Sequence, residues 1–342
     1  MAPLSGAEQD DATPPQARRA GSAHRWLAAT LVAAVFAALL ARDARLDEIV
    51  LRLRGLSPAT LAAAALWLAA AGFLRALRMR LLLTRGIGVG QAYAFHQVYN
   101  VVTAVVPAGV GEAASAWLLR RTLRVPLHHG LVALVVGRLL DLFVLLLLFL
   151  VVVLGGGAAL AVGGDALLPG AALVAAGLAA LGVAHVVTGG RLALVLERWA
   201  TAVHAQGRAR TLLRRALGVG AESLRLLPHR ARLAGLVGLT AVLQLVSLGA
   251  LHALANGAGL SLTYAQSVAC FVVYVLLRML PVQGIGGIGT TAAWWALALG
   301  ALGVAADEAA VVGAVLYVAF LVLLVALCVT SLPLLAFRRG ES

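Results

Sequence analysis

Long uninterrupted apolar segments are the feature that most constrains the fold of this chain. A helix that crosses a bilayer needs about 20 consecutive apolar residues. Because 62% of the 342 residues are hydrophobic and only 12% are charged, a water-soluble core cannot hold this excess. The sequence therefore predicts an all-α polytopic membrane protein and excludes soluble enzymes, secreted scaffolds and disordered regulators. Six spanning helices are predicted: 26–42, 59–79, 130–153, 167–187, 233–255 and 309–336.

Two further apolar segments are interrupted by proline and glycine. Residues 91–119 contain the break Pro107-Ala-Gly109-Val-Gly111-Glu112, and residues 265–304 contain the break Pro281-Val-Gln283-Gly284-Ile-Gly286-Gly287-Ile-Gly289. Each break leaves two arms that are mostly too short to cross a bilayer. Backbone that is unwound within the hydrocarbon has to be buried in protein or to line a wet cavity. We therefore expect two re-entrant helical hairpins in addition to the six spans.

The two interrupted segments resemble each other in sequence. Residues 86–94 resemble residues 257–265 at an offset of 171 residues, with matching Pro/Gly breaks further along. Two pairs of residues mark the later matches: Pro107 with Pro281, and Trp117 with Trp295. Duplicated units of opposite orientation, with broken helices at matching positions, are typical of secondary transporters. The sequence therefore predicts an inverted repeat with units at about 86–153 and 257–336.

The arginines predict which side of the membrane each segment faces. The net charge is +13, and all 27 basic residues are arginine because the sequence contains no lysine. Basic residues concentrate in the cytoplasmic loops of membrane proteins. We therefore expect a multi-pass protein of the cell (inner) membrane, with both termini in the cytoplasm. The cytoplasmic segments would be the disordered tail 1–25, residues 75–85 and 120–124, the loop 188–232 and the tail 337–342.

The segments assigned to the outer side contain almost no basic residues. Residues 154–166 and 256–264 have none, and two acidic residues precede the last span. The loop 43–57 is the exception, because Arg45, Arg52 and Arg54 lie there beside three acidic residues. With this topology the first hairpin enters from the cytoplasm and the second from outside.

Membrane lipids are the partners that this composition predicts. Arginines next to apolar spans interact with the anionic inner leaflet. No nucleic-acid-binding motif is present, so no nucleic acid is expected, and a second copy of the chain is a further candidate partner. Without lysine the chain cannot form a Schiff base or a Walker-type phosphate loop. Because Cys270 and Cys328 lie apart in apolar runs and no three His or carboxylate residues have metal-ligand spacing, no metal or other cofactor is predicted.

Ionisable residues within the apolar segments are the candidate substrate-binding residues, because charges in hydrocarbon are costly. Glu112 lies at the first break, where the amides that begin the second arm would stabilise an anion. Arg138 and Asp141 are three residues apart on one helix face and can neutralise each other. Arg278 has no acidic neighbour one turn away, so an anion or Glu112 is its expected partner. Each of these charges also has a structural interpretation, in helix packing or at a helix end.

Polar uncharged side chains lie in the same segments. Tyr99 and Asn100 are on the first arm of the first hairpin, and Gln283 is in the second break. We expect all three to supply hydrogen bonds to a bound polar group.

Four motifs follow one another along the chain. They are the arginine-rich residues 75–80, Pro107-x-x-x-Gly111-Glu112, Gly137-Arg138-Leu-Leu-Asp141 and Pro281-x-Gln-Gly-x-Gly-Gly-x-Gly289. Together they resemble the lysylphosphatidylglycerol synthase transmembrane region, also called the flippase-like domain family, over roughly residues 26–336. The resemblance implies movement of modified phospholipids between leaflets, and it does not extend to the soluble aminoacyl-transferring domain of some members. The family's second glycine motif commonly continues into a glutamate, whereas here Thr290 follows Gly289.

The sequence therefore favours a translocator of a phospholipid or lipid-linked intermediate over an enzyme. Two alternatives stay open. One is an intramembrane lipid-headgroup transferase in which Glu112 or Asp141 is the base. The other is a non-transporting partner subunit of a cell-envelope enzyme, which Thr290 in place of a carboxylate favours.

Overall fold

The computed structural model describes five stretches of the chain: residues 46–83, 87–105, 110–154, 230–278 and 289–336. All regular structure in these stretches is helical. Several predicted segments lie outside the described residues: the spans 26–42 and 167–187, the tails 1–25 and 337–342, and residues 188–229 of the basic loop.

The described residues form ten α-helices, which are numbered here in chain order. They are α1 (Leu46–Gly55), α2 (Pro58–Leu83), α3 (Val89–Val105), α4 (Val110–Leu123), α5 (Leu127–Leu154), α6 (Arg230–Gly257), α7 (Tyr264–Arg278), α8 (Thr290–Gly300), α9 (Ala306–Ser331) and α10 (Pro333–Ala336).

Four of these helices are long and apolar enough to cross a membrane. The qualifying segments are all of α2 and α9, Val132–Leu154 within α5 and Leu233–Gly257 within α6. Each coincides with one predicted span, so four of the six predicted spans fall on helices of suitable length and composition, as expected for a multi-pass helical membrane protein. The last span ends at Ser331, five residues before the predicted end, because a separate short helix begins at Pro333, and proline supplies no N–H to continue a helix.

The arms of both interrupted segments are helices that are shorter than the four candidate spans. The arms α3 and α4 have 17 and 14 residues, and α7 and α8 have 15 and 11. Gly289 directly precedes α8 at φ 77°, a left-handed conformation that favours glycine. Gly111 was expected in the first break but lies in the first turn of α4, where a glycine is tolerated because the first amides of a helix have no partner within it. The other break residues lie outside the described stretches: Pro107, Gly109, Pro281, Gly284, Gly286 and Gly287.

The helices follow the same order twice, as long, short, short and long. The first set is α2 to α5, with 26, 17, 14 and 28 residues, and the second is α6 to α9, with 28, 15, 11 and 26 residues. Contacts within one set have counterparts in the other: α2 with α3 and α6 with α7, α3 with α4 and α7 with α8, α4 with α5 and α8 with α9. Between the sets, α3 packs on α9 and α7 packs on α5, while α2 packs on α6.

The two arms of each interrupted segment pack against each other. One buried cluster includes Ile87, just before α3, and Val125, just after α4, together with Phe95 and Leu119 from within the two helices. Both arms of the first segment thus contribute to one buried cluster. In the second segment, α7 and α8 also contact each other.

The starts of α3 and α7 lie at opposite ends of the long helix α9. Leu334, just past the end of α9, provides the nearest side-chain atoms to Gly90 at the start of α3. At the other end, Arg52 of α1 bonds to Glu48 at 3.0 Å, to Glu308 at the start of α9 at 3.4 Å, and to the carbonyl of Ala258 at 3.1 Å. Ala258 lies in the short connection that leads from α6 to α7. The three segments that the arginine distribution assigned to one side of the membrane therefore meet at Arg52.

Candidate functional site

A buried ion pair joins α2 to α5 within the spanning part of the bundle. Nη1 of Arg78 donates to Oδ1 of Asp141 at 2.6 Å, and Nη2 donates to Oδ2 at 2.9 Å. Arg78 is only 6% exposed. A Cβ atom on Gly137 would lie 3.3 Å from Nη2 of Arg78, so the glycine one turn before Asp141 leaves room for the guanidinium. Two parallel N–H···O bonds fix both side chains in one geometry.

Helix α6 adds further polar groups to this pair. Arg78 also donates to Oγ1 of Thr240 at 3.3 Å, and Nε2 of Gln244 donates to Oδ1 of Asp141 at 2.9 Å. One turn earlier on α2, Nη2 of Arg75 donates to Oγ of Ser247 at 3.4 Å. The carboxylate of Asp141 is therefore shared between α2 and α6. A buried charge of this kind persists in a bilayer only when it is neutralised and hydrogen-bonded.

The hydrogen bonds of Asp141 and of Arg138, which the sequence suggested can neutralise each other, go to different helices. The carboxylate faces α2 and α6, whereas Arg138, one turn earlier, is exposed and donates through Nε to the hydroxyl of Tyr99 on α3 at 3.0 Å. The Arg138 guanidinium carbon also lies 5.6 Å from the centre of the Tyr99 ring, within the range of a cation–π interaction. Arg78 had been interpreted only as a cytoplasmic charge. Its position three residues after Arg75, at the end of the predicted span 59–79, is the signal that indicates a buried pair.

The ends of the two first arms meet at Arg278. This residue is the last of α7, and its Nη2 donates to the carbonyl of Thr103 near the end of α3 at 3.3 Å, while Nη1 donates to the hydroxyl of Tyr274 at 3.5 Å. The residue four positions after Thr103 is Pro107, which has no N–H to donate to that carbonyl. Arg278 therefore takes the place of a missing helix donor, and its charge lies at the partially negative end of α3.

Buried polar groups continue along α3. His96 and Gln97 are 8% and 0% exposed, and neither Nε2 of His96 nor the side-chain amide of Gln97 has a hydrogen-bond partner within the described structure. The rings of His96 and Tyr99 are 5.4 Å apart. Buried polar atoms are usually paired, so these atoms are suited to a polar group that enters between the helices.

The charges of this region are mostly positive. Among the described side chains, Arg138 and Arg278 bond to groups of α3. Arg75 and Arg78 lie on α2 and bond to Ser247 and Asp141. Guanidinium groups bind phosphate through parallel hydrogen bonds. The electrostatics therefore favour an anionic ligand at the end of α3.

Comparison with protein families identifies the family of the chain. The family model described as the lysylphosphatidylglycerol synthase TM region matches residues 26–337, which is nearly the whole chain. The chain belongs to this family. No curated protein sequence and no solved structure gives a significant match.

The remaining residues that the sequence singled out have different surroundings. The backbone of Glu112 lies in the first turn of α4, as expected for an acidic residue near helix amides, and Asn100 is half-buried on α3. Gln283 lies outside the described residues. Thr290, where the family pattern has a carboxylate, is fully buried in the first turn of α8. The structure thus brings Tyr99, Arg138 and Arg278 around the end of α3, and it sets Asp141 apart with Arg78.

Proposed function

We propose that this protein translocates a phospholipid or a lipid-linked intermediate between the two leaflets of the cell (inner) membrane. The hydrogen bond from Arg278 to the Thr103 carbonyl is the observation on which the proposal depends. It joins the ends of two shorter helices that begin at opposite ends of α9. A polar headgroup that crosses the hydrocarbon needs such a polar meeting point about halfway across.

The arrangement of the helices supports two re-entrant hairpins related as an inverted repeat. The arms α3 and α7 are about 26 and 22 Å long, against about 39 Å for α9. Each hairpin would enter from its own side and return to it, with the first entering from the cytoplasm. The repeated helix order also supports larger units than the sequence indicates, with α2 and α6 as their first helices.

The headgroup phosphate would lie between Arg138 and Arg278, because both guanidinium groups contact the last turns of α3 and both can form parallel bonds to phosphate oxygens. Glu112 would bind a cationic headgroup or one of these arginines. Tyr99, Asn100 and Gln283 would supply hydrogen bonds, and the acyl chains would stay in the lipid. Rocking of one unit against the other would expose the site to each leaflet in turn. The proposal is one of transport without covalent chemistry.

The test is lipid scrambling by the purified chain in liposomes, measured with fluorescent phospholipids and a membrane-impermeant quencher. We expect Arg278→Ala to lower the rate by about tenfold or more, because a hydrogen bond to a charged group contributes about 1.5–3 kcal/mol and 1.4 kcal/mol is a factor of ten in rate. The matched control is Arg54→Ala, which removes an exposed arginine from α1 and should leave the rate unchanged.

Other outcomes would contradict the proposal. Equal rates for the parent and Arg278→Ala would exclude a role of this arginine in transport. If the parent does not scramble any lipid, a new lipid species in cells that overproduce it would indicate the transferase alternative. Co-purification with a cell-envelope enzyme, again without scrambling, would indicate the partner subunit.

A further inference from the structure

The two halves of the molecule place the same aromatic residues in different surroundings. Trp117 on α4 corresponds to Trp295 on α8 at an offset of 178 residues, and the same offset shifts α4 onto 288–301, which covers α8. In the second half, Trp295 is 3% exposed and stacks on Tyr274 of α7, with ring centres 3.8 Å apart and planes within 5°. In the first half, Trp117 is 53% exposed.

The contact that Trp117 does make is with a cation. The guanidinium carbon of Arg121 lies 5.2 Å from the centre of its ring, and no described aromatic ring stacks on it. Arg120 and Arg121 are both exposed in the last turn of α4, and no described carboxylate forms an ion pair with either. The indole and the two guanidinium groups thus form one exposed surface, which we call the Trp117 surface (Trp117, Arg120 and Arg121).

The second half shows that the fold does not require these charges. The positions that correspond to Arg120 and Arg121 are Ala298 and Leu299, both completely buried. Helix α8 nevertheless forms and packs between α7 and α9, as α4 packs between α3 and α5. The two exposed arginines therefore occur only on α4. The corresponding surface of α8 is buried.

We propose that the Trp117 surface binds the headgroup of an anionic phospholipid from the surrounding leaflet. Two guanidinium groups recognise phosphate, and tryptophan favours the interface between headgroups and acyl chains. A lipid is the ligand that this surface meets, because α4 belongs to a bundle with four membrane-spanning helices and follows the polar end of α3. If the protein translocates lipids as proposed above, this surface is the entry site, and the stacked pair Tyr274–Trp295 is its closed counterpart.

Tryptophan quenching by brominated lipids tests the binding directly. The full-length chain is reconstituted into phosphatidylcholine vesicles that contain an increasing share of brominated phosphatidylglycerol or, in parallel, of brominated phosphatidylcholine. The signal of Trp117 is the difference between the parent and Trp117→Phe. We expect its apparent affinity to be about tenfold higher for the anionic lipid, corresponding to about 1.4 kcal/mol, and we expect R120Q/R121Q to abolish this preference.

Trp67→Phe is the matched control, because Trp67 is also exposed, at 42%, but has alanine at all four positions one helical turn away. Its signal should not distinguish the two lipids. Equal quenching of Trp117 by both lipids would overturn the proposal, as would a preference that survives R120Q/R121Q. Because this readout does not measure transport, a protein that binds the anionic lipid without scrambling would contradict the proposed function and leave the binding site standing.

Discussion

At the scale of single residues, the Arg78–Asp141 pair is the strongest electrostatic contact in the described part of the membrane region. Arg78 is buried and Asp141 is partly buried, and Asp141 accepts from α2 and α6 together. Removing one partner of a buried pair leaves an uncompensated charge, which typically destabilises a protein by about 3–5 kcal/mol. We therefore predict that Asp141→Asn lowers the free energy of unfolding in detergent by about this amount.

The double variant Arg78→Met/Asp141→Asn separates the pair from the packing of each side chain. We expect it to be less destabilised than the sum of the single variants, since the second substitution removes the uncompensated charge. Asp307→Asn is the control: this exposed carboxylate in the first turn of α9 should contribute less than about 1 kcal/mol. Unfolding in a denaturing detergent titration gives the free energy for both single variants, the double variant and Asp307→Asn. Strictly additive effects would exclude a coupled pair.

The sequence predicted Asp141 as a site residue but not its partner Arg78, for a physical reason. Arg138 and Asp141 are neighbours on the same helix, so spacing alone suggests that they pair. The actual partner of Asp141 is 63 residues away, and such a pairing depends on how α2 packs against α5. By contrast, a partner of Arg278 outside its own helix was predictable, because a guanidinium in an apolar arm without an acidic neighbour needs a partner from elsewhere. The sequence could not specify that this partner is the Thr103 carbonyl.

At the scale of the helices, close packing of α8 against α9 depends on a glycine. A Cβ atom on Gly313 would lie 2.7 Å from the carbonyl oxygen of Ala292 and 2.8 Å from the amide nitrogen of Ala296. Both are backbone atoms, which cannot move aside without separating the helices. We predict that Gly313→Ala destabilises the protein by about 1–3 kcal/mol, as is typical of overpacking, measured as a loss of thermal stability in detergent.

Gly235→Ala is the matched control for this substitution. Nothing lies within 4 Å of a Cβ at Gly235 of α6, and alanine is favoured over glycine within a helix by about 1 kcal/mol. This variant should therefore be unchanged or slightly more stable. If Gly313→Ala behaved in the same way, close approach of α8 and α9 would not contribute to stability.

Helix positions were largely predictable, whereas helix ends were less so. Apolar length predicted four spans, and the Pro/Gly breaks predicted the four arms, because both depend on local composition. The second arm was expected to reach residue 304, but α8 ends at Gly300. The following turn contains Gly303 at φ 81°, a conformation that ends helices and favours glycine. The sequence indicates a glycine there but not that the chain turns at it.

At the scale of the whole molecule, the contacts of the two halves mirror each other although their chemistry differs. The first half contains the buried arginines and the Trp117 surface, while the second half has the Tyr274–Trp295 stack. The sequence match predicted a repeat of the interrupted segments because proline and glycine are distinctive. It missed α2 and α6, since uniform apolar segments carry little information for such a match.

Re-entrant hairpins make a prediction about sidedness that full crossings do not. Single cysteines are introduced at exposed positions that flank each hairpin, in a chain whose native Cys270 and Cys328 are replaced by alanine. The variants are Gly88→Cys and Arg124→Cys around the first hairpin, and Thr263→Cys and Asp307→Cys around the second. A membrane-impermeant thiol reagent is then applied to intact cells. Because each hairpin returns to its own side, we expect no labelling at the first pair and labelling at the second.

Opened cells are the control, since all four positions should react there if the variants fold. Labelling that differs between the two members of a pair would mean that the segment crosses the membrane completely. In that case α3 and α7 would not end inside the bilayer. Arg278 would then not contribute to a binding site at the midplane. Equal labelling of the two pairs would instead show that both hairpins enter from the same side. The two units would then not have the opposite orientation on which alternating exposure of the site depends.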